Sequence, residues 1–102
     1  MIIYNITVSV EESIKSDWLN WMITEHIPQV MSCGLFTKAK ISKIITEVDA
    51  NYTFAVAYSS LTIKHLQQYQ VNFAQELQKE HKARYGDKAV AFRTIMETIA
   101  EF

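Results

Sequence analysis

Two residue types in this chain can handle protons or anions at neutral pH, and aromatic residues stand close to one of them. His26 precedes the only proline, Pro28, by two positions. An imidazole with an ordinary pKa of about 6.5 can take and return a proton near neutrality. The spacing puts His26 on the apolar face of a helix that Pro28 interrupts, and such a break opens space and frees backbone carbonyls. His26 is therefore a candidate general acid/base. The simpler alternative is a core histidine satisfied by one of those carbonyls. Arg93 stands in the middle of a strand pattern, and its planar fork suits a carboxylate or another anion. Its alternative is a salt bridge, to Glu97 or across a dimer.

Trp18, Trp21, Met22 and Tyr69 are candidates to line a ligand pocket between helix and sheet. Aromatics at helical spacing also simply build core. Trp21 falls outside the centre of its helix's apolar face, beside Glu25, so exposure there would mark a ligand or partner surface. Cys33 follows a helix rather than beginning one, and reads as inert. His65 and His81 have no cysteine or carboxylate cluster at ligand spacing, so no metal is expected. With no Gly-rich phosphate loop and no nucleophile elbow, no cofactor is expected.

The elements that hold these residues follow from periodicity. Ile2 to Val10 alternates, with Tyr4, Ile6, Val8 and Val10 against Asn5, Thr7 and Ser9, which predicts a strand. Glu11-Glu12-Ser13 turns the chain, and Ser13 is a candidate cap. From about Ile14 a helix follows whose apolar face holds Trp18, Leu19, Met22, Ile23, His26, Ile27 and Val30. Pro28 predicts a kink or change of pitch, and Gly34 a left-handed stop. Leu35 to Val48 reads as a lysine-bearing edge strand. Asp49-Ala50-Asn51 reads as a turn, and Tyr52 to Ser59 as the hairpin's second strand. Ser60-Leu61-Thr62 offers a cap for a helix from about Ile63 to Arg84, with Leu66, Tyr69, Phe73 and Leu77 on one face. After Tyr85-Gly86-Asp87-Lys88, Ala89 to Ile99 is the last strand.

That order, βαββαβ in a single domain spanning residues 1–102, predicts an α+β ferredoxin-like fold: a four-stranded antiparallel sheet with two helices on one face. The helices should cover Tyr4, Ile6, Val8, Phe54, Val56 and Phe92. The other face should show Asn5, Thr7, Thr53, Ala55, Ala57, Ala91, Arg93 and Ile95. Parity thus keeps Arg93 away from His26. An open sheet face of small and apolar residues with few charges invites an identical sheet, so a homodimer is expected.

Totals bound the partners. A net charge of -1 leaves no basic surplus for phosphates, so no nucleic acid is expected. No apolar run approaches the roughly 20 residues needed to span a bilayer, and no membrane partner is expected. A lone cysteine suits a reducing cytoplasm.

Over the order and spacing just described, the chain resembles the dimeric α+β barrel superfamily. Several families there place a histidine and a nearby proline in the first helix before a glycine and the second strand, as in His26-Ile27-Pro28 and Gly34-Leu35-Phe36. More closely, it resembles a family of short, uncharacterised bacterial proteins catalogued as a domain of unknown function. That resemblance rests on Met1-Ile2-Ile3-Tyr4-Asn5, on Trp18, Trp21-Met22 and His26-Ile27-Pro28, and on Gly86-Asp87-Lys88 followed by Ala91-Phe92-Arg93-Thr94. The resemblance implies a dimer of ferredoxin-like subunits and no particular activity. The superfamily includes cofactor-independent monooxygenases, isomerases, haem-degrading enzymes and ligand-sensing domains. The haem-degrading pattern departs here, because the third strand has no tryptophan. Three functions remain open: a homodimeric module that binds a small organic ligand or a partner, a cofactor-independent enzyme using His26, and a ligand-sensing regulatory domain.

Overall fold

The computed structural model describes residues 1–46 and 52–102. The Asp49-Ala50-Asn51 turn lies outside the described residues. Strands β1 (Ile2–Val10), β2 (Lys38–Lys43), β3 (Tyr52–Ser60) and β4 (Ala89–Glu97) form one antiparallel sheet in the order β2-β3-β1-β4. One face carries α1 (Lys15–Trp21), a π-helical turn (Met22–His26) and α2 (Ile27–Met31), then α3 (Ile63–Asn72) and α4 (Ala74–Tyr85). This is the expected ferredoxin-like βαββαβ plan, with both helical segments interrupted.

The core follows from the strand pattern. Tyr4, Val8, Val10, Phe54, Val56 and Tyr58 are buried beneath Trp18, Trp21, Met22, Leu66, Tyr69 and Leu77. Gly34 (φ 77°) and Gly86 (φ 55°) take the left-handed conformations that end α2 and α4. Within the Ser60-Leu61-Thr62 stretch it is Thr62 that caps α3, its hydroxyl accepting from the His65 N–H at 3.2 Å. Ser13 does not cap α1. It sits inside a 3-10 turn, Glu12–Ile14, and no side chain caps the helix after it. The second strand begins at Lys38 rather than Leu35.

Three expectations are corrected. First, the single helix from Ile63 to Arg84 is broken at Phe73, whose backbone leaves the helical region (φ -129°, ψ -34°). The buried stripe steps from Leu66 and Tyr69 to Ala74 and Leu77, so Phe73 faces outward. Second, the change of pitch expected at Pro28 takes the form of a π turn, and it reverses the expected places of Trp21 and Ile23. The Ile27 N–H donates to the Met22 carbonyl five residues back, which widens the turn just before Pro28. In a regular α-helix residues five apart diverge by about 140°. Here the wider turn brings Trp21 onto the His26 side. Trp21 is 5% exposed and Ile23 is 55% exposed, the reverse of the expected order. Trp21 is therefore no surface tryptophan.

Third, the faces of β4 are exchanged. Val8 pairs with Ala91, Ile6 with Arg93 and Tyr4 with Ile95. Directly opposed residues share a face, so Ala91, Arg93 and Ile95 lie on the helix side. Val90, Phe92 and Met96 point to the open side and are 61%, 64% and 45% exposed. Both parities of this strand carry apolar residues, and the larger set faces away from the helices.

Candidate functional site

The site grows out of two histidines, one from each helical segment. His26 ends the π turn, where its ring stacks on Trp21 at 4.8 Å between centroids, 27° from parallel. His81 lies in α4, four residues after Leu77 and four before Tyr85, on the buried stripe of that helix. The two imidazoles are 6.1 Å apart.

Their hydrogen bonding differs. The Trp18 indole N–H donates to His81 Nε2 at 2.9 Å. An indole nitrogen only donates, so Nε2 must be the acceptor, and neutral His81 carries its proton on Nδ1. His26 Nδ1 is buried and has no hydrogen-bond partner. Burial, and then the neighbouring His81, push the His26 pKa from 6.5 down to about 4. Burial, and then the Arg93 charge, push His81 below 6.5 as well. Both rings are uncharged at pH 7.

Behind them lies a polar brace. The Tyr85 hydroxyl donates to Asp17 Oδ2 at 2.8 Å and accepts from Arg84 Nε at 3.1 Å. The Arg84 guanidinium sits 5.3 Å over the Trp21 ring. This brace ties α4 to α1 and fixes the wall that holds both imidazoles.

In front of them is a cavity between the helices and the β1–β4 half of the sheet. It offers about 40 Å³ to the centres of water molecules, room for about three of them. Ile6, Val8, Val56 and Leu77 line its apolar part; His26, His81, Gln78 and Arg93 supply most of its polar atoms. Tyr58 and Tyr69 also face it, and burial raises both hydroxyl pKa values, so they stay protonated.

Of the sequence candidates, His26, Met22, Tyr69 and Arg93 converge on this cavity. Trp18 and Trp21 do not line it; they hold His81 and His26 from behind. The expectation that Arg93 and His26 lie apart is overturned by the β4 register. Arg93 makes no salt bridge with Glu97. His81 and Gln78 were missed as site residues. The signal for His81 lies in the Leu77–His81–Tyr85 spacing, which puts the ring on the buried stripe of its helix. Among the described residues, no group of three His, Cys, Asp or Glu side chains is placed to hold a metal ion. No helix among them is long and apolar enough to cross a membrane.

A four-stranded antiparallel sheet covered on one face by interrupted helices, with a small cavity between the layers, defines a ferredoxin-like α+β protein. Within that class, residues 1–99 match the family described as domain of unknown function DUF4286, and the chain belongs to it. No curated protein matches the chain. Solved structures agree on the fold. An ethyl tert-butyl ether D (EthD) family protein from Bacillus halodurans C-125 superposes with a TM-score of 0.70 at 16% identity, covering 97% of this chain and 100% of that one. A dimeric ferredoxin-like protein from an uncultured marine organism gives 0.71 at 14% identity, covering 99% and 96%. A de novo designed protein with ferredoxin fold gives 0.52 at 15% identity, covering 100% and 91%.

Proposed function

We propose that this protein is a homodimeric module that binds a small organic molecule in the cavity bounded by His26, His81 and Arg93. The observation that carries the reading is a cavity of mixed lining: an apolar floor, two uncharged imidazoles and one guanidinium. Few convergent polar groups over an apolar surface are what an orienting ligand site needs. His26 brings its ring to the cavity wall, and its buried Nδ1 has no hydrogen-bond partner within the protein. The test is an NMR screen of small organic fragments against the imidazole ring signals. Shifts of both rings support the site; rings that respond to no fragment oppose it.

The open face of the sheet supports the dimer. Val90, Phe92 and Met96 form an exposed apolar strip beside Thr7, Ala55 and Ala57. A similar fold is described as dimeric in the marine protein. A second copy buries that strip by twofold pairing. Sedimentation at micromolar concentration should give a dimer, and F92K should shift it to monomer. A monomeric parent chain contradicts the pairing. The single cysteine fits a reducing cytoplasm.

A competing reading makes His26 a general acid/base in a cofactor-independent enzyme. It is favoured by the cavity reaching the His26 ring. A pKa near 4 makes the ring a weak base at pH 7, which favours binding over proton abstraction.

A further inference from the structure

Three voids meet at the same two side chains, Gln78 and Arg93. One is the cavity in front of the imidazoles. The second is a groove of about 470 Å³ beside Lys79 and Lys82. The third is a smaller hollow of about 280 Å³ near Gly86. Arg93 is exposed at the edge strand and lies where the inner cavity opens into the groove.

Among the described residues Arg93 has no carboxylate partner; their one ion pair joins Arg84 to Asp17 at 3.9 Å. No acidic side chain lines either the inner cavity or the large groove. Arg93, Lys79 and Lys82 thus gather positive charge at one mouth of a chain whose net charge is -1. The inner end is different. Ile6, Val8, Val56 and Leu77 are apolar, and the imidazoles beside them carry no charge. An anion has nothing to pair with at that depth, and burying one there is costly. The site therefore has polarity along its length: apolar and hydrogen-bonding inside, cationic outside.

We propose that the ligand is a small organic carboxylate, its apolar body on the inner cavity and its carboxylate on the Arg93 guanidinium at the mouth. This rests on the ligand-binding reading above and names its substrate class. The planar fork of Arg93 matches a carboxylate in bidentate fashion. Lys79 and Lys82 add a longer-range field that salt weakens. The inner volume takes a few carbon atoms of the body, and the rest of a larger body lies along the groove.

The test compares matched acids and neutral analogues. Benzoate and hexanoate are titrated against benzamide and hexanamide at pH 7, following the His26 and His81 ring signals. The proposal expects the acids to shift both rings and to bind at least tenfold more tightly than the amides. R93Q, at an exposed position, should weaken the acids by roughly tenfold or more and the amides by a clearly smaller factor. R93K should fall between, keeping the charge and losing the fork. K79Q/K82Q should reduce the salt dependence. Equal binding of acids and amides, unaltered by R93Q, overturns the carboxylate assignment and leaves the binding site standing. Binding of the amides alone does the same. No response to any of the four at millimolar concentration overturns both.

Discussion

The two imidazoles share one cavity and have opposite surroundings. His81 stands in a regular helix, with Nε2 taken by the Trp18 indole and its tautomer thereby fixed. His26 ends a widened turn, stacked on Trp21, with a buried nitrogen that finds no partner. The regular helix yields a satisfied histidine that holds structure. The irregular turn yields one with unmet hydrogen-bonding capacity. A group already paired contributes to stability, whereas an unpaired buried one carries a cost that stability alone does not explain.

The sharpest way to break this pairing is to remove the ring that anchors His81. Trp18 is fully buried and packs 5.2 Å from Phe54. W18A should cost about 3–5 kcal/mol in urea unfolding, because it leaves a large void and an orphaned imidazole nitrogen.

Acid should act next. Both histidines have folded pKa values below their unfolded 6.5. Between the two values the unfolded chain binds more protons, so stability rises with pH there. For His26 that stability is fully present above about pH 6.5 and is lost as pH falls toward about 4. For His26 the loss amounts to about 3 kcal/mol. Carboxylates titrate in the same range, so the informative quantity is the difference between the parent and H26L. H26L should therefore gain on the parent by up to about 3 kcal/mol as pH falls from 7 to 4, and a constant difference contradicts the depressed His26 pKa.

The smallest effects separate the two histidines most cleanly. H81L strands the Trp18 N–H and should cost about 1–3 kcal/mol at pH 7. H26L removes an unpartnered nitrogen and should stay within about 0.5 kcal/mol of the parent or exceed it. Equal losses in both variants would erase the distinction between the two sites.

Much of the fold was legible in the sequence. Alternation in β1 and β3 fixes which of their residues face the helices, and Gly34 and Gly86 sit where helices must stop. The faces of β4 were not legible. Hydrophobicity marks Val90, Phe92 and Met96 as buried without saying what buries them, and in the single chain nothing does. That misreading separated Arg93 from His26, which the pairing of Ile6 with Arg93 reunites. Pro28 announced a break in the helix. A proline can be met by a kink or by a wider turn, and only the wider turn brings Trp21 inward. His81 was visible on the buried stripe of α4, but its partner, Trp18, lies 63 residues away in sequence. Contacts of that range depend on topology rather than on spacing.

The most direct measurement is an NMR titration of both imidazole rings from acid to neutral pH, repeated with benzoate. The account predicts that His26 titrates near pH 4, that His81 stays in the Nδ1–H tautomer at neutrality, and that benzoate shifts both rings. A His26 ring that titrates near its ordinary value, together with rings indifferent to benzoate and to neutral fragments alike, contradicts it: the two histidines would then belong to no common ligand site.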